Sequence, residues 1–335
     1  MKRSAFGIFV AILLLVASGA EGSSREKMKK GNFALSLNGG LGFINGGDLN
    51  QMVQDWDKFF TDSNGTSDSS FDWSQFKSRP KFGIELFYYF SDRIALSLGF
   101  EYMKKKNIGQ VDLNDSDSVE GTIDEYPYRY NTQSRLGFDP QNTLSTLPIT
   151  LNAYYFLPLG RRSQFFIEAG FGYYLSKLKS VYHYNLEKTE ELELYDPDNG
   201  FLLDVYINEE KYNAYHNDSA KSNVFGFHGG LGLELNISSR LSLVLEGIYR
   251  TVAHKNWKGT ASENLSYQET YGSQSEGYTQ NTESESNSYD GQLLYITYSD
   301  GTSIVSIDNP GESKSRGAVV KLSGPSLKVS FKVRF

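Results

Sequence analysis

The chain has 335 residues, a formal net charge of −7 and no Cys. The lack of Cys excludes disulfides, thiolate catalysis and Cys-based metal sites. The acidic balance gives no electrostatic attraction for nucleic acid, so no nucleic-acid partner is expected. With 23 Tyr, 22 Phe and 32 Gly but 8 Pro, the composition favours β-strands.

The N-terminus has the pattern of a secretory signal peptide. Lys2 and Arg3 precede an apolar run over residues 5–16, which ends in the small residues Ser18, Gly19 and Ala20. This pattern predicts a cleaved signal peptide over residues 1–20 and a short periplasmic lead-in over 21–30. An uncleaved anchor is the alternative, but the run is shorter than the roughly 20 residues that a spanning helix needs.

From Phe33 onwards, segments of about ten residues alternate between apolar and small or polar side chains, which is strand periodicity. Eight such segments cover residues 33–43, 82–90, 94–102, 147–157, 165–175, 225–236, 241–250 and 327–335. The apolar faces carry no charged side chain. The opposite faces carry Glu85, Glu101, Glu168, Glu234, Glu246, Arg250, Lys328, Lys332 and Arg334.

A soluble β-sandwich also alternates, but its outer face usually carries many charges. Here the polar faces are dominated by Gly, Ser, Asn and Tyr, which suits a tightly packed lumen. The pattern therefore predicts an all-β fold, an eight-stranded antiparallel transmembrane β-barrel whose apolar faces contact lipid.

The connections between the segments alternate in length. Short turns lie near residues 91–93, 158–163 and 238–240, and long connections cover 44–81, 103–146, 176–224 and 251–320. Outer-membrane barrels have short periplasmic turns and long extracellular loops, so four long extracellular loops are predicted. These loops are polar and acidic, and we expect them to bury little apolar surface.

The strands are also able to continue into the long connections. Asp300-Gly301 is a hairpin-turn signal between residues 293–298 and 302–307, which predicts a protruding hairpin.

These features together resemble the small eight-stranded outer-membrane barrels of the OmpA membrane-domain and OmpX type. The resemblance covers residues 31–335 as one barrel domain, with the long loops unmatched. It implies that the alternating C-terminus, with Phe331, Val333 and Phe335, is the assembly signal read by the outer-membrane insertion machinery. It also implies outer-membrane lipid and lipopolysaccharide as surroundings, whereas no extracellular ligand is identified. No peptidoglycan-binding domain follows the barrel, so a cell-wall anchoring role is not expected.

An eight-stranded barrel is just wide enough for side chains to fill it. We therefore expect the lumen charges to pair as a structural plug, with Glu246 reaching Lys328 or Lys332. Glu168 and Glu234 lie on adjacent segments and are predicted to face each other as a like-charge pair if they lie at similar heights. The alternative is a narrow path for ions or solutes.

No residue pattern specifies catalysis or a cofactor. The His residues are His183, His216, His228 and His254; His254 lies just above the seventh segment, but no spacing defines a catalytic triad. His228 is interpreted as a lumen packing residue. The acidic segments 112–117 and 196–200 do not fit an EF-hand loop, so they predict solvated loops rather than a metal site.

The sequence thus predicts a non-enzymatic barrel that displays long acidic loops for envelope integrity, adhesion or surface interaction. Two alternatives remain open. One is a narrow porin-like channel or small-solute transporter, and the other is an outer-membrane enzyme that modifies lipid or peptide with His254 as its best candidate residue.

Overall fold

The computed structural model describes residues 33–62, 70–160, 162–307 and 314–335. The predicted signal peptide and lead-in lie outside the described residues. The elements are β1 (Phe33–Phe43), α1 (Asp48–Asp62), β2 (Ser70–Trp73), β3 (Ser78–Tyr89), β4 (Ile94–Ile123), β5 (Tyr126–Pro158), β6 (Ser163–Tyr195), β7 (Leu202–Asn236), β8 (Leu241–Thr251), β9 (Ala253–His254), β10 (Lys258–Ser273), β11 (Gly277–Thr297), β12 (Ser303–Ile307), β13 (Lys314–Gly317), β14 (Val320–Lys321) and β15 (Gly324–Arg334). Within these ranges, no helix has both the length and the apolar character required to cross a membrane.

Eight strands close into an antiparallel ring, which confirms the predicted fold class. The order around the ring is β1, β3, β4, β5, β6, β7, β8, β15 and back to β1. Each ring strand contains one of the eight predicted segments, and the apolar faces point outward as predicted. Ile84 and Leu231, for example, are 47 % and 59 % exposed, whereas Glu85 and Lys328 on the opposite faces are each 3 % exposed.

One end of the ring, here called the turn end, holds the short turns and the terminal strands. The backbone N–H of Phe335 donates to the carbonyl of Phe33 at 2.9 Å, so β1 and β15 meet there. On β15, Phe331 and Val333 pair with Leu37 and Leu35, and Phe335 is exposed. The predicted assembly residues therefore lie along the seam of the barrel.

At the other end, the sheet rises well beyond the ring as an extension. Strands β4 to β7 continue into it, and β10 and β11 add two more strands beside β7. β4 and β5 pair up to a two-residue turn in which Asp124 and Glu125 have φ of 50° and 74°. This confirms that strands continue into the long connections.

The predicted hairpin around Asp300-Gly301 is also confirmed. Leu293 on β11 pairs with Ile307 on β12, and Gly301 adopts a positive φ of 89°, which a residue without Cβ reaches without strain.

The inside of the extension is an apolar core, so the expectation that the long connections bury little apolar surface is wrong. The first connection forms α1, whose Leu49, Met52, Val53 and Trp56 recur at helical spacing and are buried. The last long connection contributes further buried apolar residues to the same core, namely Val252, Trp257, Ala261, Leu293, Tyr295, Val305, Ile307, Ala318 and Val320. The long connections therefore contribute apolar side chains to this core as well as polar side chains to the surface.

Helix α1 is fixed at both ends of its buried face. The indole ring of Trp56 stacks on Phe138 with ring centroids 4.7 Å apart, and its Nε1 donates to the carbonyl of Ser303 at 2.9 Å. At the first turn, Asp48 accepts hydrogen bonds from Arg316 at 2.6 and 2.8 Å and from the N–H of Val319 at 2.6 Å. The helix therefore packs into the extension as part of its core.

Candidate functional site: the barrel lumen

The lumen side chains form three layers of charge along the barrel axis. At the turn end, Glu234 accepts hydrogen bonds from Lys332 at 2.9 Å and Gln164 at 3.0 Å, and it pairs with Arg334. The ammonium group of Lys332 also lies 4.1 Å from the ring centroid of Phe87. The carboxylate and the aromatic ring together offset the free-energy cost of removing the Lys332 ammonium group from water.

The middle layer is centred on Lys328. Its ammonium group lies 3.2 Å from Glu85 and forms a second ion pair with Glu246. Glu85 also accepts hydrogen bonds from Asn152 at 2.8 Å and from the Tyr154 hydroxyl at 2.6 Å. The structure thus places Glu246 beside Lys328, one of the two partners expected for it from the sequence.

The layer nearest the extension contains two cations that the sequence analysis missed. Glu101 pairs with Arg250 and lies 3.5 Å from the ammonium group of Lys81. Arg79, which is 2 % exposed, points into the same region. The alternation of β3 contains a signal for these two cations, because residues 79 and 81 lie on the same inward face as Glu85. Pro80 between them interrupts the alternation and hides this signal.

Glu168 and Glu234 do not lie at similar heights, so the like-charge pair considered from the sequence does not form. In the register of β6 and β7, Glu168 lies opposite Gly230, whereas Glu234 lies opposite Gln164. The two carboxylates are therefore four residues apart along the sheet, about 13 Å. Glu168 instead lies 3.9 Å from the Nε2 atom of His228, which is a lumen residue, as interpreted from the sequence.

Little space remains between the middle layer and the layer nearest the extension. A cavity of about 10 Å³, comparable to one water molecule, is lined by charged and amide side chains. Its lining includes Glu85, Glu101, Asn152, Glu168, His228, Arg250 and Lys328. Gly99, which also lines the cavity, allows this packing, because a Cβ there would lie 2.5 Å from the hydroxyl oxygen of Thr150.

Of the remaining histidines, His183 is exposed, with Nδ1 3.6 Å from Asp139, whereas His216 and His254 contact buried hydroxyl groups. His254 is fully buried, with Nε2 3.0 Å from the hydroxyl of Ser176. His216 lies in the extension, with Nε2 2.9 Å from Asp218 and 2.8 Å from the hydroxyl of Ser306, which is also buried. Burial raises the pKa of Asp218, and its hydrogen bond with His216 opposes that shift.

The acidic segments lie on strands and turns. Asp112 is part of β4 and accepts a hydrogen bond from Gln110 at 2.9 Å. Asp196 organises the turn before β7, accepting the N–H of Asp198 at 2.8 Å, and Gly200 has a positive φ of 71°. In the described part of the chain, no group of three or more His, Asp or Glu residues is arranged to hold a metal ion.

Comparisons with known proteins find solved structures of low similarity to this chain. No family model and no curated protein matches it. Among solved structures, the outer membrane protein OprG from Pseudomonas aeruginosa is 12 % identical over 92 % of this chain and 98 % of that chain, with a TM-score of 0.34. The outer membrane protease OmpT from Escherichia coli is 8 % identical over 93 % of this chain and 99 % of that chain, with a TM-score of 0.29.

Proposed function

We propose that this chain is a non-enzymatic outer-membrane β-barrel protein with a filled lumen that presents a folded β-sheet extension at the cell surface. The observation that carries the proposal is the polarity of the ring. Its outward faces are apolar and exposed on every strand, while its charged side chains are buried inside. Such a surface is stable in hydrocarbon and unfavourable in water.

The orientation follows from the two ends of the ring. In outer-membrane barrels the short turns lie on the periplasmic side and the long connections lie on the extracellular side. The start of β1 and the end of β15 lie at the same end of the ring as the short turns. The extension would then face the outside of the cell, where its acidic, polar outer surface is available for adhesion or other surface interactions.

Two epitope tags test this orientation. One is inserted between Ser275 and Glu276, in the turn between β10 and β11, and the other between Asp92 and Arg93, in a short turn of the ring. Antibody should label the first tag on intact cells and the second only after permeabilisation. The reverse labelling, or recovery of the protein in the soluble fraction, contradicts the proposal.

Bilayer conductance tests the filled lumen. The cavity between the middle layer and the layer nearest the extension has room for about one water molecule, so we expect the refolded protein to carry little current. A stable ohmic conductance would instead support the channel alternative.

The burial of His254 and Ser306 favours a non-enzymatic role, because a nucleophile or base must reach its substrate. Lipid or peptide turnover by the purified protein that disappears in His254→Gln or His216→Gln contradicts this part of the proposal.

A further inference from the structure

Six lysines form a patch on the outer surface, immediately above the apolar band of the ring; it is called here the lysine patch. In its lower row, Lys104, Ser145, Lys177, Lys221 and Lys258 are successive cross-strand partners on β4, β5, β6, β7 and β10. In its upper row, the partners are Lys106, Thr143, Lys179, Ser219 and Thr260. Cross-strand partners point to the same face, so all six ammonium groups lie on the outside.

The position of the patch is defined by the apolar row below it. Tyr102 and Leu147, two residues further down β4 and β5, are exposed, and Leu147 pairs with Leu175 on β6. One row lower, the rings of Tyr173 and Phe225 lie 4.9 Å apart on the same outward face. The lysines therefore lie where the apolar band ends on the side of the extension.

Within the described residues, no ion pair neutralises this charge. Neither row contains Asp or Glu, and the upper row meets its first carboxylate only on the next strand, at Asp290 of β11. The ion pairs formed by described residues include none of the six lysines. Lys177 and Lys221 lie directly opposite each other, an arrangement of like charges that destabilises a sheet unless an anion compensates it.

We infer that the lysine patch binds the phosphate groups of lipid A, the membrane anchor of lipopolysaccharide. This inference rests on the proposed function, which places the extension outside and the apolar band in the outer leaflet. The lower row spans five strands, about 19 Å, so it fits a lipid that carries more than one phosphate. The acyl chains of the same lipid would pack on the apolar rows beneath.

Binding of labelled bisphosphorylated lipid A to the folded protein in uncharged detergent micelles tests the inference. Each lysine near an anionic surface contributes about fivefold, so K177Q/K221Q/K258Q should weaken binding about 100-fold, and K221Q alone about fivefold. The control R129Q/K188Q/K211Q removes three cations from the upper extension. It should stay within about twofold, because charges beyond a screening length contribute little.

Several outcomes overturn the inference: equal binding by the native protein and the lysine triple variant, equal weakening by the control, or equal binding of dephosphorylated lipid A. Competition by phosphatidylglycerol or inorganic phosphate as effective as that by lipid A overturns the choice of ligand. Circular dichroism of each variant verifies the fold. Because lipid A binding is measured in micelles and the orientation by tags on cells, failure of this inference is distinguishable from failure of the proposed function.

Discussion

Strand β6 passes through two interiors of opposite chemistry. Within the ring, its inward side chains include Glu168 and its outward ones Ile167 and Phe171, whereas in the extension Tyr182 points inward and Lys179 outward. The pairing of β6 with β5 continues without a register shift across this change. The backbone is therefore the same in both regions, and the surrounding solvent selects which face is apolar.

The two regions are stabilised by different terms. In the extension, water surrounds the sheet and burial of apolar side chains drives folding. In the ring, the outward face is apolar, so the lumen depends on satisfied ion pairs and hydrogen bonds. A substitution in one region should therefore leave the other region intact.

The largest effect is expected for Lys328→Ala. It leaves Glu85 and Glu246 buried without their cation, which should destabilise the barrel by about 3–5 kcal/mol. Urea unfolding in lipid vesicles, followed by circular dichroism, measures the loss. Lys188→Ala, which breaks the more exposed Lys188–Glu190 pair, is the control and should cost less than about 1 kcal/mol. Equal losses would contradict the proposed role of the lumen pairs.

A matched pair of outward residues tests the boundary between the two surroundings. Leu231 on the ring and Ile108 on the extension are both 59 % exposed. Leu231→Arg should cost about 2–4 kcal/mol because it places a cation in hydrocarbon, whereas Ile108→Arg should stay within about 0.5 kcal/mol. Urea unfolding in vesicles compares the two variants, and a similar loss of stability in both would contradict a membrane boundary between Leu231 and Ile108.

Alkaline pH should weaken the extension through Tyr295. Burial, reinforced by the hydrogen bond that Tyr295 donates to Asp55, raises the pKa of Tyr295 to about 12. Because an unfolded tyrosine titrates near 10, the resulting stabilisation is complete below about pH 10 and is lost as the pH rises towards 12. It amounts to about 2 kcal/mol once solvent screening of the hydroxyl is allowed for.

Fluorescence detects this loss because Trp56, Trp73 and Trp257 all lie in the core of the extension. Tyr295→Phe should remove that part of the pH dependence, and Tyr278→Phe, at an exposed site, should retain it. An unchanged alkaline transition in Tyr295→Phe would refute the assignment.

The smallest effect is expected for Trp56→Phe. The phenyl ring can still pack against Phe138, but the hydrogen bond to Ser303 is lost, at a cost of about 1–2 kcal/mol. Hydrogen exchange should increase in α1 and remain unchanged in β1. Faster exchange in both elements would show that the core of the extension also supports the ring.

The sequence predicts the ring well because one physical rule, exclusion of charge from the outward face, acts on every ring strand. It predicts the extension poorly because there the inward face is apolar and the outward face carries the charged side chains. Leu178 and Tyr182 continue the alternation of β6, but they lie on the inward face, which is polar within the ring. Helix α1 carries a helical pattern at Leu49, Met52 and Trp56 within a connection interpreted only as a loop.

The contacts of the lumen depend on information that the alternation does not contain. Which carboxylate meets which cation is set by the stagger between strands, and the sequence alone did not separate Glu168 from Glu234. The alternation does not identify Arg79 and Lys81, because Pro80 lies between them and the predicted segment begins only at Phe82.

The pairing of β1 with β15 has a consequence for biogenesis. Because β1 and β15 are neighbours, the ring cannot close until β15 has been synthesised. The strands that precede β15 must therefore remain without a closed ring until β15 pairs with β1 and β8.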